Sequence, residues 1–316
     1  MSREEARFVV DLYYQLQQKR IALDHQALSS ERSGEPPRFL ATFAAAFEHF
    51  ENVVKDALKV FVNEYAVGRW CMAQVGVGPV ITAGLLAHID IRIAKNVGKI
   101  WRFAGLDPTV EWKRGQKRPW NAFLKTLCAF KLGESFVHTC NHPESYYGKI
   151  YKEAKQSMIL RNEGGGFREA AQLALEKAEK EGRLKKFSED STCLRCWRVG
   201  QLSPAHIHAR ARRKAVKVFL SHLHEVMHRD YYGTEPPVPY IFAYEPEKHS
   251  VNFEVRGWPC DGRPLRDLYD SPGTKSVAIQ ELAGEICERL ESGDLPEVSH
   301  EFNGELPEES KESSGN

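Results

Sequence analysis

The stretch of residues 74–90, QVGVGPVITAGLLAHID, constrains the fold of this chain more than any other part of its sequence. It opens with a tight turn, GVGP at residues 76–79, whose glycines can adopt backbone conformations that other residues avoid. Pro79 suits the first turn of the apolar helix that the pattern predicts next, and the preceding run from Phe61 to Met72 also has helical spacing. We therefore expect a mainly α fold built around a helix-hairpin-helix core.

The same turn predicts a phosphate site. The first backbone N–H groups of a helix have no partner within the helix, and the helix dipole favours an anion beside them. Gly76, Val77 and Gly78 would let a DNA backbone approach those groups closely. A plain turn between two core helices is the alternative that the residues leave open.

Composition limits the classes of protein that need to be considered. The chain has 316 residues and a net charge of +1, so a surface that binds nucleic acid must be a local patch rather than the whole molecule. There is no apolar run of about 18 residues, so we expect no membrane span. The N-terminus lacks a signal-peptide core, and the seven cysteines are scattered, which favours a reduced, cytoplasmic setting.

Two long helices are predicted before the hairpin. Residues 2–29 have helical spacing, with Ser2 and Glu5 placed as a capping box, and a loop follows over residues 29–37. A second helix is expected over Arg38 to Glu51, and the pattern leaves open a continuation to Trp70. Such a pair suits an antiparallel arrangement or a homodimer formed through these helices. The aromatic stripe of the second helix is expected in the core: Phe39, Phe43, Phe47 and Phe50.

A basic loop lies downstream of the hairpin, in the sequence VEWKRGQKRPWN at residues 110–121. Basic side chains interleaved with aromatic ones suit phosphate contacts and base stacking. A solvated turn with both tryptophans folded inward is the alternative. The predicted DNA-binding residues of this loop are Lys113, Arg114, Lys117 and Arg118, flanked by Trp112 and Trp120.

A second basic feature is the helix predicted over residues 206–229. Cations crowd its first half, where they oppose the helix dipole, so an external anion is the expected partner. The predicted DNA-binding residues on this helix are Arg210, Arg212, Arg213, Lys214 and Lys217.

One group of residues suggests a structural zinc ion. Cys193 and Cys196 have the spacing of a zinc-binding pair, and His206 and His208 follow closely. The spacing of the histidines is unusual for such a site, so ordinary reduced cysteines and helix histidines remain the alternative. No other cofactor is indicated.

These features divide the chain into six parts. They are an N-terminal helical arm at 1–70, the helix-hairpin-helix core at 71–132, an inserted helical segment at 133–205, a core-completing basic helix at 206–232, an irregular C-terminal extension at 233–291 and a disordered acidic tail at 292–316.

Several of the same segments resemble one known family. The hairpin VGVGPVITAGLLAHI, the following WRFAGLDP, the basic glycine loop and the helix ARARRKAVKVFLSHLHEV are similar to the C-terminal domain of bacterial insertion-sequence transposases of the IS-one-ten and IS-one-sixteen class, which include the pilin-gene-inverting recombinases. The resemblance covers residues 38–132 and 206–230. It implies a DNA-binding scaffold related to DNA transposition and recombination, and a mobile-element origin.

Two departures from the family affect its chemistry. Family transposases carry an N-terminal RuvC-like domain with metal-binding acids, and no strand-borne acidic set is found here. The family's catalytic serine precedes the glycine of the basic loop, where this chain has Arg114 before Gly115. We therefore expect a transposase-like protein that binds DNA, or RNA, without nuclease chemistry. An active recombinase that uses other residues, such as Ser135 or Asp107, and a protein-interaction scaffold are the alternatives.

Overall fold

The chain is mainly helical in the computed structural model, as the sequence predicted. The structure describes residues 1–34, 38–188, 191–237 and 255–270, together with the helical positions 280, 281, 284, 285 and 288. Within these residues there is no β-strand, and an isolated bridge joins Tyr65 to Arg263. The helices are α1 (Arg3–Arg32), α2 (Arg38–Asn63), α3 (Ala66–Met72), α4 (Pro79–His88), α5 (Val97–Phe103), α6 (Ala122–Thr126), a π-helical turn (Leu127–Leu132), α7 (Gly133–His138), α8 (Tyr146–Glu163), α9 (Arg168–Lys180), a 3-10 turn (Leu184–Lys186), α10 (Thr192–Arg198), α11 (Pro204–Tyr232) and α12 (Leu265–Asp270).

The two N-terminal helices form an antiparallel pair. Ser2 and Glu5 cap α1 reciprocally, as predicted, and satisfy backbone donors that the first turn would otherwise leave unpaired. The two helices are joined across their interface by an ion pair in which Arg20 Nε lies 2.7 Å from Glu51 Oε1. The pair therefore has a fixed register.

The second helix continues past Glu51 but does not reach Trp70. It stops at Asn63 instead of continuing to Trp70, because residues 64–66 bond to a distant segment. The Arg263 N–H donates to the Glu64 carbonyl at 2.7 Å, and the Ala66 N–H donates to the Arg263 carbonyl at 3.0 Å. This pairing interrupts the helix, and α3 starts again at Ala66.

Helix α4 lies at the centre of the main core. It is flanked on one side by α1 and α2, and on another by a continuous rod in which α6, the π-helical turn and α7 follow one another without a break. Helix α4 runs antiparallel to this rod, since Gly76 lies beside Ser135, Gly84 faces Leu127 and His88 stacks on Phe123. Burial on all sides explains why its sequence is apolar all round.

Helix α11 completes this core from the other side. Phe219 is fully buried and lies against three aromatic rings, those of Trp70, Phe136 and Tyr147. Tyr147 also hydrogen-bonds His222 through its hydroxyl, at 2.9 Å. Helices α3, α7, α8 and α11 therefore share one aromatic cluster.

The described part of the C-terminal extension packs over this core. Trp70 Nε1 donates to the Arg256 carbonyl at 2.8 Å, and the Tyr269 hydroxyl donates to the Ile89 carbonyl at 3.1 Å. Arg3 lies over the Tyr269 ring and pairs with Asp90. The acidic tail predicted at 292–316 lies outside the described residues.

A smaller cluster lies within the predicted inserted segment. Helices α9 and α10 contribute Phe167, Ala171 and Trp197 to it, and Ile207 of α11 closes it. Helix α8 behaves differently, because its Tyr147 and the ring of Tyr151 belong to the main core. The segment at 133–205 is therefore shared between the two clusters.

The prediction that the aromatic stripe of α2 lies in the core is wrong for most of the stripe. Phe39, Phe43 and Phe50 are 82%, 56% and 41% exposed. The main core reaches α2 only from Val54 onward, so the first half of the helix extends past the core.

No helix in the described part of the chain is long and apolar enough to cross a membrane.

The buried histidines predict an acid-sensitive fold. Burial, helped by the charges of Arg7 and Arg3, lowers the pKa of His88 to about 4, and burial lowers the pKa of His222 and His224 to about 4 as well. An unfolded histidine titrates near 6.5, so the unfolded state binds more protons between these values and the free energy of unfolding falls as the pH falls from about 6.5 to 4.

His88→Phe tests this origin, since a phenyl ring can keep the stack on Phe123 without taking up a proton. Between pH 7 and pH 4, the free energy of unfolding should fall by a smaller amount in the variant than in the wild type. We expect the difference to be up to about 2 kcal/mol, after a discount for the partial solvent screening of His88. Urea titrations at several pH values measure it. Equal pH dependence in the two proteins would show that His88 is not a source of the effect.

Candidate nucleic-acid interface

The basic loop between α5 and α6 presents its cations to solvent. Lys113, Arg114, Lys117 and Arg118 are all exposed. The loop turns at Gly115, whose φ of 93° favours glycine, and the Gln116 N–H donates to the Lys113 carbonyl at 3.1 Å. The turn therefore holds its basic side chains outside the core.

The two tryptophans of the loop are half-buried and pack against each other. Their ring centroids are 6.2 Å apart in an edge-to-face arrangement. Arg118 lies over the Trp112 ring at 5.5 Å, and Lys125 lies over the Trp120 ring at 4.2 Å. Trp112 Nε1 also donates to the Gln116 carbonyl at 2.8 Å. The rings thus position cations, through cation–π contact, at the edge of the loop.

A second group of cations lies along one face of α11. Arg210, Arg213 and Lys217 follow one another at helical spacing, and Lys214 is adjacent. Arg210, Arg213 and Lys214 are exposed, whereas Lys217 is half-buried with its Nζ 5.0 Å from the centroid of the Trp101 ring. Helix α11 therefore displays a basic stripe beside its buried face.

Lys125 on α6 lies within electrostatic range of both the loop and helix α11. Burial lowers the pKa of Lys125, and the charges of Arg118 on the loop and Arg213 on α11 lower it further. The pKa of Lys217 is lowered by burial and by Arg213, although Asp107 acts in the opposite direction. The two basic features thus share one electrostatic field, which we call the cationic surface: Lys113, Arg114, Lys117, Arg118, Lys125, Arg210, Arg213, Lys214 and Lys217.

The cationic surface has few counter-charges. Among the described residues, no carboxylate forms an ion pair with a lysine or arginine of this surface. Burial and neighbouring cations lower the pKa of Lys125 and of Arg213, and neither forms an ion pair among the described residues, which favours a bound anion beside them.

Arg212 does not belong to this surface, although the sequence grouped it with its neighbours. Its guanidinium forms an ion pair with Glu134 of α7 and lies 5.1 Å from the Phe130 ring. The helical turn directs it to the opposite side of α11, and burial lowers its pKa. Its role in the structure is to join α11 to the rod.

The glycine hairpin lies apart from the cationic surface. Gly76 has a φ of 91°, and its carbonyl accepts a hydrogen bond from the Ser135 hydroxyl at the α7 end of the rod. Lys125 lies ten residues earlier in the same rod, about 15 Å away at 1.5 Å per residue. The structure therefore does not bring the hairpin and the basic loop together.

The two other hairpin residues differ in exposure. The Val77 side chain is buried in the main core. Gly78 is the N-cap of α4, has an extended backbone with φ of −94°, and has open space where a Cβ would stand. Within the predicted hairpin, Gly78 is the position at which a phosphate could reach the start of a helix. Two helices joined by a turn do not by themselves establish a helix-hairpin-helix motif, which stays a prediction.

The four residues proposed as zinc ligands do not form a site. Cys193 Sγ contacts the Ser203 hydroxyl at 3.2 Å, and that hydroxyl lies 2.9 Å from His206 Nδ1. His208 instead contacts the Tyr151 hydroxyl at 2.8 Å, on the α8 side of α11. In the part of the chain that the structure describes, no group of three His, Cys, Asp or Glu residues could hold a metal ion. A separation of two residues along α11 directs the two histidines to different faces.

The residues named for a recombinase alternative have structural partners. The Ser135 hydroxyl donates to the Gly76 carbonyl. Asp107 accepts hydrogen bonds from the N–H and the hydroxyl of Thr109, at 3.0 and 2.7 Å, which lower its pKa. Both residues shape turns.

Sequence reasoning missed Lys125 and Trp101. Lys125 lies four residues after the loop on α6, and Trp101 lies on α5 before it, so both fall outside the segment that the sequence marked as the basic loop. The basic and aromatic character that marks residues 110–121 extends to both positions, which was a usable signal.

Comparisons of the chain with models of protein families, with curated proteins and with solved structures found no match. The resemblance to transposases therefore depends on the quoted residues alone.

The arrangement around Cys193 predicts that zinc is not needed for folding. We expect EDTA to leave the thermal unfolding midpoint of the reduced protein unchanged, and Cys196→Ser to alter stability by no more than about 0.5 kcal/mol. Stoichiometric zinc in elemental analysis, together with a lower midpoint after chelation, would contradict this expectation.

Proposed function

We propose that the protein is a transposase-like DNA-binding protein that holds the nucleic-acid backbone on its cationic surface. The observation that carries the proposal is that Arg118 and Lys125 are held on the paired rings of Trp112 and Trp120, within electrostatic range of Arg213, and that none of these cations forms an ion pair among the described residues. A phosphate beside these groups would relieve their repulsion and favour their charged forms. Such a local patch reconciles backbone binding with a net charge of only +1.

The chemistry of the surface suits backbone contacts more than base recognition. Lysine and arginine side chains bind phosphate oxygens without reading sequence, so binding is expected to depend weakly on base sequence unless a partner supplies specificity. The half-buried rings of Trp112 and Trp120 offer stacking to unpaired bases, which keeps RNA within the same proposal.

The start of α4 is a second proposed contact. Gly78 is open there, whereas Pro79 has no N–H to donate, so the N–H groups of the next residues would face the phosphate. Its distance from Lys125 matches a separate contact along one duplex more closely than a single shared site.

The rest of the assignment follows from the resemblance and stays a proposal. Arg114 stands where the family has its catalytic serine, so we propose binding without nuclease chemistry. We also propose a cytoplasmic protein that acts as a homodimer.

The cationic surface predicts a specific salt dependence. The variant Lys113→Ala, Arg114→Ala, Lys117→Ala, Arg118→Ala should bind duplex DNA more weakly, because fewer counterions are released. The slope of log affinity against log salt should fall by up to about one per lost phosphate contact. Fluorescence anisotropy at several salt concentrations measures both quantities.

Exposed cations elsewhere provide the matched control. Lys177→Ala with Lys180→Ala removes charge from α9, outside the cationic surface, and Arg213→Ala with Lys214→Ala removes the same charge from α11. We expect the α11 pair to weaken binding and the α9 pair to leave it unchanged. Equal losses in both pairs would mean that only overall charge matters, and the proposed surface would be wrong.

The hairpin contact is tested at Gly78. Aspartate and asparagine are both good N-cap residues, so Gly78→Asp and Gly78→Asn should fold and keep or raise the stability of α4 by a few tenths of a kcal/mol. Only aspartate adds a negative charge where the phosphate would lie. If α4 binds the backbone, Gly78→Asp should bind DNA several-fold more weakly than Gly78→Asn. Equal DNA affinities of the two variants would show that the hairpin is only a turn and does not bind the backbone.

A further inference from the structure

The first half of α2 packs against α1 and carries an apolar surface that the main core does not cover. Residues 39–47, FLATFAAAF, include no ionisable side chain, yet they lie on a helix that the main core reaches only from Val54. The part of α2 before Val54 therefore extends roughly 20 Å beyond the core, at 1.5 Å per residue. Isolated exposed apolar residues are ordinary, but a continuous apolar patch on a soluble protein marks an interaction site.

Four exposed apolar residues on one face of α2, three of them in this patch, have a symmetric spacing. Phe39, Phe43, Ala46 and Phe50 share one face of α2, with gaps of four, three and four residues, and all four are exposed. We call these four residues the arm stripe. Read from either end, the spacing is the same. Two copies of one helix packed antiparallel about a two-fold axis require such a pattern, because each contact occurs twice.

We propose that the arm stripe is a homodimer interface in which two copies of α2 pack antiparallel. The axis passes between residues 44 and 45 of each copy. Phe39 of one copy then faces Phe50 of the other, and Phe43 faces Ala46, whose small side chain leaves room for the ring. This pairing gives the proposed homodimer a defined surface, and it is independent of nucleic-acid binding.

The exposed area indicates a dimer of moderate affinity. The exposed parts of Phe39, Phe43 and Phe50 add up to nearly two phenylalanine side chains per copy, or roughly 350 Å². Two copies would bury roughly 700 Å² through these rings, about half of a standard interface of about 1,600 Å². The dimer should therefore dissociate on dilution, and salt should affect it little because no charge lies on the stripe.

Sedimentation velocity of the full chain without nucleic acid tests the proposal. We expect the sedimentation coefficient to rise with concentration from monomer to dimer. Phe39→Glu with Phe43→Glu should remain monomeric at every concentration while its circular dichroism and unfolding midpoint stay normal, since both side chains are exposed. Leu160→Glu with Leu173→Glu changes two exposed leucines on α8 and α9 and should dimerise like the wild type.

A charge exchange tests the antiparallel pairing. Phe43→Lys and Ala46→Glu should each be monomeric, because each places an unpaired charge in the interface. An equal mixture should dimerise, because residue 43 of one variant faces residue 46 of the other. A mixture that stays monomeric would overturn this pairing. A wild type that stays monomeric up to its solubility limit would leave the stripe to another protein partner and would also overturn the proposal.

If the wild type is monomeric and still binds DNA, the proposed dimer interface is wrong while the proposed function stands. The converse result, a dimer that does not bind DNA, would leave the arm stripe intact and reject the cationic surface.

Discussion

The fold depends on covering one short apolar helix on every side. Helix α4 has seven buried residues among its ten, including Leu85 and Leu86, and it has no polar face to turn towards water. A helix of this composition is stable only when neighbours surround it. The N-terminal pair covers one side and the rod from α6 to α7 covers another, while Tyr269 of α12 bonds to Ile89 at its C-terminal end.

This requirement also decides which surfaces remain free. Helices α1 and α2 are much longer than the ten residues of α4, so they cover it with one half and extend past it with the other. The half of α2 that extends past the core has apolar residues at the same helical spacing as the half that is buried. The aromatic stripe is thus one continuous feature with two environments: Phe61 is fully buried, and Phe39 is almost fully exposed.

Local signals in the sequence predicted the local structure well. The capping box of α1, the helical start at Pro79 and the helix predicted over residues 206–229 each depend on residues within a few positions of one another. The break of α2 at Asn63 was missed because its cause, the bonding of Glu64 and Ala66 to Arg263, lies some 200 residues away in the sequence. The exposure of Phe39 was missed for a related reason. The spacing of apolar residues identifies the apolar face of a helix, but it does not show how far along the helix the neighbouring elements cover that face.

The candidate site shows the same division between local and distant information. Composition identified the basic loop and the basic face of α11 as separate features, and it could not show that Lys125 joins them. It also could not show that Arg212 pairs with Glu134, whereas the adjacent Arg213 forms no ion pair among the described residues. Both distinctions follow from the three-dimensional packing of α11 between the rod and α5.

The cationic surface and the arm stripe differ in the force that would recognise a partner. The first collects charges that repel one another, so an anionic partner would be bound by electrostatics and released by salt. The second has no charge, so its partner would be bound by burial of aromatic area and would be insensitive to salt. Dimerisation through the arm would place two copies of the cationic surface in one particle. Linked sites bind one DNA molecule more tightly than either alone when the geometry allows both to engage. Disrupting the arm stripe should then weaken binding to long DNA while leaving binding to a duplex that spans a single surface unchanged.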